Sequence, residues 1–144
     1  MQEETKSEQS TPLKLYDTIA TDKLPLLSCK AFYVVDLQSN KMVLSKKPYE
    51  VREMASLTKM MTTFVALQLS TNFDLKMKET LFPVSKHATT IMGTSANLTE
   101  GQCLSIYDLL RGVMLPSGND AALCLAENFG HLILCAKKYK DINF

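Results

Sequence analysis

Several features on which a function could rest are missing from this sequence. It has no tryptophan, two distant histidines and four cysteines without a Cys-x-x-Cys spacing, so the patterns typical of zinc or haem sites are absent. We therefore predict no metal and no cofactor. Free cysteine is among the residue types most often buried, which favours reduced core thiols over a disulfide framework. The cysteines are Cys29, Cys103, Cys124 and Cys135.

A strong charge of either sign is also missing. Sixteen Lys and Arg balance 15 Asp and Glu, and no basic run exceeds two residues, so nothing predicts nucleic acid as a partner. The longest apolar run, residues 121–126, is far shorter than the ~20 residues that span a bilayer. The first thirty residues lack the apolar core of a signal peptide. We predict no transmembrane segment and no signal peptide in this chain, and its location stays unknown.

What is present fits one compact domain of mixed structure. Apolar residues make up 46% of the 144 positions, enough for a sizeable core. Residues 1–28 begin with a polar stretch and carry two prolines, which predicts a disordered or irregular lead-in. The predicted domain covers residues 29–144. Within it, "KAFYVVD" (30–36) and "KMVLS" (41–45) are β-type runs separated by turn residues, and together they predict a hairpin.

Three helices are predicted in the rest of the domain. The first runs from Ser56 to Leu69 with a wide apolar face. "LSIYDLLRGVML" predicts the second, with Ser105 answered by Asp108 in a pattern close to a capping box. "AALCLAENF" begins the third, which is apolar almost all round and therefore buried, with Gly130 as its C-cap. The apolar face of the first helix consists of Leu57, Met60, Met61, Phe64, Val65, Leu67 and Leu69.

A chemical question is raised by "ASLTKM" at residues 55–60. On a helix, Ser56 and Lys59 lie one turn apart on the same face. A serine hydroxyl needs an adjacent base to act as a nucleophile, and a lysine can be that base where burial disfavours its charged form. The free N–H groups at a helix start can also stabilise an oxyanion. The plain alternative is a helix-start serine beside a solvated lysine.

A second motif, "SGN" at residues 117–119, lies in the break between the second and third helices. Ser117 could relay a proton and Asn119 could bind a substrate carbonyl if both face one cleft. The structural alternative is that Ser117 caps the third helix and is answered there by Asp120. Each motif is weak alone, but Ser-x-x-Lys followed by a Ser-x-Asn type loop is a combination found in penicillin-binding proteins and class A β-lactamases.

The sequence resembles the serine-type D-alanyl-D-alanine carboxypeptidases, which are low-molecular-mass penicillin-binding proteins of the β-lactamase and transpeptidase-like superfamily. The resemblance covers about residues 30–130. It implies an α+β fold in which an antiparallel sheet packs with helices. This chain would carry the N-terminal portion, the first hairpin and the helical region, without the C-terminal strands. The matching segments are "YVVDLQSNKMVLSKKPYE", "ASLTKMMTTFVAL", "GTSANLTEGQCLSIYDLLRGVMLPSGNDAA" and "LAENFG".

The resemblance also implies a role for each motif residue. Ser56 would be acylated by the penultimate D-alanine of a peptidoglycan stem peptide, and Lys59 would be the general base. Ser117 would pass a proton to the leaving amine, while Asn119 would bind the substrate amide and help position Lys59. A β-lactam would trap the acyl-enzyme. Members of the family are usually exported to the periplasm or the cell surface.

One motif of the family is missing from the sequence. The chain contains no Lys-Thr-Gly, which in the family would supply a second oxyanion donor and a wall that grips the substrate carboxylate. We therefore expect this chain to be inactive or impaired as a carboxypeptidase. Two alternatives stay open: a non-catalytic remnant or pseudoenzyme that binds penicillin or peptide, and a serine β-lactamase built on the first two motifs.

Overall fold

The structure of the chain is a computed structural model that describes residues 27–142. It divides into two compact units, with the boundary between Arg52 and Glu53. Most of the lead-in predicted over residues 1–28 lies outside the described residues. Among residues 27–142, none of the helices combines the length and the hydropathy that a bilayer crossing requires.

The first unit contains the hairpin that the sequence predicts. Strand β1 (Phe32–Asp36) pairs antiparallel with β2 (Lys41–Lys46), and the register shifts at a bulge after Val34. The turn is closed by the carboxylate of Asp36, which accepts hydrogen bonds from the backbone N–H groups of Gln38 and Ser39 at 3.2 and 3.1 Å. An aspartate that binds the backbone two and three residues ahead is a common device for closing a tight turn.

The second unit consists of helices around one small sheet. A 3-10 turn (Ala55–Leu57) leads directly into helix α1 (Thr58–Asn72). Strands β3 (Leu81–Pro83) and β4 (Cys103–Ser105) pair as a two-stranded antiparallel sheet, with Leu81 opposite Ser105. The other helices of the unit are α2 (Lys86–Thr89), α3 (Ile106–Met114) and α4 (Asn119–Ile142).

Helix α3 begins where its capping residues indicate. The Ser105 hydroxyl accepts a hydrogen bond from the Asp108 backbone N–H at 3.0 Å and donates one to the Asp108 carboxylate at 2.6 Å. The N-terminal N–H groups of a helix have no intrahelical partner, so such a cap stabilises the helix start by about 1 kcal/mol. The predicted pairing of Ser105 with Asp108 is confirmed, and the helix begins at Ile106.

The core of the second unit lies where α3 packs on α4, with α1 and β3 against the same side chains. Phe82 of β3 meets Phe129 of α4 edge to face, with ring centroids 5.0 Å apart. Full burial of one such apolar side chain is worth roughly 1.5–3 kcal/mol. The prediction of a buried third helix is confirmed for one face of the first part of α4, whereas Leu134 further along is 67% exposed. The largest fully buried side chains are Ile106, Leu109, Val113, Cys124 and Leu125.

Helix α1 buries a different side from the one that its apolar pattern predicts. The buried residues are Lys59, Ala66 and Ser70, whereas Met61 and Phe64 are 64% and 57% exposed. Small side chains let α1 approach α3 and α4 closely, and within the second unit much of the apolar side is left open. A wide apolar helix face ordinarily packs on a core, but most of this one is exposed among the described residues.

Two further predictions are corrected by α4 and by the cysteines. Gly130 does not cap the helix, because α4 continues to Ile142. A single glycine costs a helix only about 1 kcal/mol relative to alanine, too little to end one that is held by packing. All four cysteines are free, as expected, but Cys29 and Cys103 are exposed, so the core-thiol prediction is wrong for these two.

Candidate active site

The two motifs meet at the N-terminal end of α1. Ser56 lies in the 3-10 turn just before the helix, Lys59 in the first turn of the helix, and Ser117 in the bend between α3 and α4. Ser56 and Lys59 are thus not in one α-helical turn as predicted, because Ser56 lies in the 3-10 turn and Lys59 in the α-helix that continues it. Ser56 is exposed, Ser117 is half-buried, and Lys59 is only 8% exposed.

A chain of hydrogen bonds joins the three side chains. The Lys59 ammonium donates to Ser117 Oγ at 3.0 Å, and Ser117 Oγ donates to Ser56 Oγ at 3.0 Å. Lys59 reaches Ser56 through Ser117, since no hydrogen bond joins Lys59 directly to Ser56 among the described residues. The arrangement therefore connects an exposed hydroxyl to a buried amine by one intervening hydroxyl.

Lys59 is surrounded by neutral oxygens. Besides Ser117 Oγ, its ammonium donates to the Ser117 carbonyl oxygen and, at 3.5 Å, to Thr94 Oγ1. None of the ion pairs among the described residues involves Lys59. The alternative of a solvated surface lysine is therefore wrong, and the three donors of the ammonium each have an acceptor.

The bend at Ser117–Asn119 depends on unusual backbone geometry. Ser117 has φ of +59°, in the left-handed region that residues other than glycine rarely adopt. At Gly118, an added Cβ would lie 2.6 Å from the Asp120 carboxylate and 2.8 Å from the Ala96 nitrogen. Glycine is thus required at position 118 because the neighbouring loop approaches too closely for any side chain.

The Asp120 carboxylate holds that neighbouring loop. It accepts hydrogen bonds from the backbone N–H groups of Ala96 and Leu98 and, at 2.6 Å, from the Ser95 hydroxyl. Burial opposes ionisation of Asp120, but these hydrogen bonds and the Ala121 N–H outweigh it and hold its pKa below the ordinary value. The predicted capping box of Ser117 with Asp120 is not formed, because both side chains are engaged elsewhere.

The Asn119 side chain is held by the neighbouring loop. Its side-chain Nδ2 donates to the Met92 carbonyl oxygen at 2.8 Å. Gly93 makes this approach possible, because a Cβ there would lie 2.5 Å from Asn119 Nδ2. Among the described residues, no hydrogen bond joins Asn119 to Lys59. The role of Asn119 in binding a substrate amide stays a prediction.

Two residues at the site were missed by sequence reasoning. Thr94 contacts both Lys59 and Ser117, and Asp120 anchors the loop that carries Thr94. The available signal was the pair of adjacent hydroxyl residues in "MGTSAN" (residues 92–97), a stretch without helical or β-type periodicity. The sequence gives no indication that this loop packs against the "SGND" bend, because the contacts are between residues more than twenty positions apart.

The site opens into a cleft of about 380 Å³ that is lined by Ser56, Lys59 and Ser117 together with apolar side chains. This volume lies within the usual range of about 300–1,000 Å³ for small-molecule sites. Within residues 27–142, no three His, Cys, Asp or Glu side chains converge on a point where a metal ion could sit. The arrangement has the parts of acyl transfer by a serine: a nucleophile, a relay and an amine.

Comparison with known proteins gives this arrangement a family. The family model described as D-alanyl-D-alanine carboxypeptidase matches residues 18–131. The chain is similar to the D-alanyl-D-alanine carboxypeptidase of Streptomyces sp. strain K15, with 32% identity over 118 residues, 81% of this chain and 40% of that protein. It is similar to DacC of Escherichia coli K12, with 32% identity over 113 residues, 74% of this chain and 28% of that protein.

Solved structures agree with the sequence matches. The crystal structure of the D-alanyl-D-alanine carboxypeptidase DacD from Francisella tularensis superposes with a TM-score of 0.67 at 26% identity, over 88% of this chain and 33% of that one. The chain spans 28% to 40% of the length of these relatives. Its α+β architecture is therefore part of the transpeptidase-like fold, and the chain belongs to the D-alanyl-D-alanine carboxypeptidase family.

Proposed function

We propose that this chain carries the Ser-x-x-Lys and Ser-x-Asn portion of a serine D-alanyl-D-alanine carboxypeptidase site, with Ser56 as the acylated residue. The observation that supports the proposal most strongly is the hydrogen-bonded chain from Lys59 through Ser117 to Ser56, at 3.0 Å for each side-chain link. The substrate class is a peptide ending in D-alanyl-D-alanine, such as a peptidoglycan stem peptide, or a β-lactam that resembles it.

The proposed reaction proceeds through an ester on Ser56. In the reacting form Lys59 is an uncharged amine, to which the Ser117 hydroxyl donates. Ser56 Oγ attacks the carbonyl carbon of the penultimate D-alanine as its proton passes to Ser117 Oγ, and the Ser117 proton passes to the Lys59 amine. The C–N bond to the terminal D-alanine then breaks, and the same route returns the proton to the leaving amine. Water hydrolyses the ester and releases the shortened peptide. A base within hydrogen-bond reach of a positioned nucleophile typically contributes 10²–10⁴-fold to such a step.

The remaining parts of the proposed site are incomplete in this sequence. The backbone N–H of Ser56 lies in the first turn, where such groups have no intrahelical partner, and can act as one oxyanion donor. The chain has no Lys-Thr-Gly to supply a second donor. Loss of one oxyanion donor costs on the order of 10²–10³ in rate, so we propose that acylation by this chain is slow.

A fluorescent penicillin tests this proposal. The purified chain is incubated with the probe, and covalent labelling is followed over time on a denaturing gel. We expect slow labelling that Ser56→Ala abolishes, because the proposed ester forms on Ser56 Oγ. Ser28→Ala is the matched control, since Ser28 is an exposed serine of the other unit, and it should label like the parent chain.

The other functions give different results in the same assay. No label on a folded chain at high probe concentration contradicts acyl transfer and supports a non-catalytic remnant. Rapid loss of β-lactam absorbance with many turnovers supports a β-lactamase instead, because a carboxypeptidase releases the penicilloyl group slowly. Release of D-alanine from a diacetylated Lys-D-Ala-D-Ala tripeptide then tests the carboxypeptidase step itself.

A further inference from the structure

The loop of residues 91–98, here called the Thr94 loop, holds the bend that carries Ser117. The Thr94 hydroxyl donates to the Ser117 carbonyl oxygen, and the Thr94 carbonyl oxygen accepts from the Asn119 N–H at 2.7 Å. Thr94 therefore binds the residue on either side of Gly118. One residue fixes both ends of the bend in which Ser117 has its left-handed conformation.

The Thr94 loop is itself fixed to the start of α4. The Asp120 carboxylate accepts from the N–H groups of Ala96 at 2.8 Å and Leu98 at 3.1 Å, and Asp120 is only 3% exposed. Because this carboxylate is buried and fully engaged, the loop has little freedom to move away from the bend. Thr94 is thus presented to Ser117 by an anchored support.

The Thr94 hydroxyl also touches the proposed proton path. It accepts from the Lys59 ammonium at 3.5 Å and donates to the same Ser117 carbonyl oxygen that Lys59 binds. Without this hydroxyl, the left-handed Ser117 would lose one of the two groups that hold its carbonyl oxygen. Rotation of Ser117 toward an ordinary conformation would then move Ser117 Oγ away from Ser56 and Lys59.

We propose that Thr94 is a positioning residue that holds the Ser117 hydroxyl between Ser56 and Lys59. The effect of the Thr94 hydroxyl on the labelling rate rests on the proposed function. Its effect on the conformation of the bend does not depend on catalysis. A displacement of about 1 Å in such a relay can cost on the order of 10²-fold in rate, so loss of one hydroxyl outside the reacting atoms can have a large effect.

The test compares three variants by two measurements on the full chain. Thr94→Val removes the hydroxyl and keeps the shape, Thr94→Ser keeps the hydroxyl, and Thr99→Val is a control five positions along whose hydroxyl makes none of these bonds. The first measurement is the rate of labelling by fluorescent penicillin. The second is hydrogen exchange of the Asn119 amide, which reports the bend without any acylation.

We expect Thr94→Val to label about 10-fold to 100-fold more slowly than the parent chain and to exchange the Asn119 amide faster, with an unchanged melting temperature. Thr94→Ser and Thr99→Val should stay within about threefold of the parent chain. Equal rates for Thr94→Val and the parent in both measurements overturn the inference, as do equal losses in Thr94→Val and Thr94→Ser. If the parent takes no label, the proposed function fails, and amide exchange alone decides: faster exchange in Thr94→Val supports the inference, and unchanged exchange overturns it.

Discussion

Neighbouring positions of α1 reverse the usual relation between polarity and burial. Lys59 is 8% exposed, whereas Met60 and Met61 are 61% and 64% exposed. Lys59 is buried because Ser117 and Thr94 supply oxygens for each donor of its ammonium. The methionines are exposed because no residue of the second unit, as far as the structure describes it, covers their side. The buried side of a helix is therefore set by the partners that meet it and not by its apolar pattern alone.

The exposed apolar side of α1 borders a large cavity. Together with α4 it forms an apolar cavity of about 740 Å³, lined among others by Met61, Val65 and Phe129. The polar side, by contrast, is held in place by hydrogen bonds and carries the proposed chemistry. The two sides of one helix should consequently respond very differently to substitution.

The largest effect is expected from removing the buried amine. Lys59→Met keeps a flexible side chain of similar length but removes the proposed base, so penicillin labelling should fall by about 10²–10⁴-fold. Lys86→Met, on the exposed part of α2, is the control and should label like the parent chain. Labelling of Lys59→Met at the parent rate would show that the polar side of α1 takes no part in acyl transfer.

Substitution of two phenylalanines compares how much the buried core and the exposed side of α1 each contribute to stability. Phe129 is 3% exposed and packs on Phe82, so Phe129→Ala should lower the free energy of unfolding by about 3–5 kcal/mol. Phe64 is 57% exposed, and Phe64→Ala should change it by no more than about 0.5 kcal/mol. Urea unfolding measures both, and a large loss in Phe64→Ala would mean that this side is covered in solution.

Two glycines distinguish the bend from the helix that follows it. Gly118→Ala places a Cβ 2.6 Å from the Asp120 carboxylate and should destabilise the chain by about 1–3 kcal/mol. Gly130 has no atom within 4 Å of such a Cβ and lies inside α4, so Gly130→Ala should stabilise it by about 0.5–1 kcal/mol. Thermal unfolding that ranks the two variants in the opposite order contradicts the described bend.

The pH dependence of stability should report the Asp120 anchor. Its pKa is lowered in the folded chain, so its contribution is complete above the ordinary aspartate pKa near ~4 and is lost as the pH falls through the lower folded value. Asp120→Asn should therefore reduce the loss of unfolding free energy between about pH 6 and pH 3. Some dependence should remain, because hydrogen bonds from Ser85 and His87 outweigh burial and lower the pKa of Glu127 as well. Identical pH profiles would argue against an ionised anchor at position 120.

Local patterns predicted a large part of this structure. The hairpin and the start of α3 follow from residue preferences and from the Ser105 cap, and these features depend on neighbours in sequence. Ser56 and Lys59 were identified because their spacing puts them one helical turn apart, and Ser117 because it lies in the break between two predicted helices. The resemblance then related Ser56, Lys59 and Ser117 to one site, and the structure brings them within hydrogen-bond reach.

The parts that were not predicted depend on contacts between distant residues. Thr94 meets Ser117 from 23 positions away, and Lys59 meets Thr94 across 35 positions. Such contacts leave no periodic signal. The same reason explains the inverted burial of α1, since its orientation is decided by α3 and α4, and the continuation of α4 through Gly130, which packing sustains.

The central claim is that the Ser56 hydroxyl, connected through Ser117 to the buried Lys59 amine, is the group that accepts an acyl substituent. Peptide mapping by mass spectrometry after prolonged incubation with benzylpenicillin tests it most directly. The account predicts one penicilloyl group per labelled chain, attached to the peptide that contains Ser56. An adduct on any other residue, or no adduct on a chain that is demonstrably folded, would contradict it.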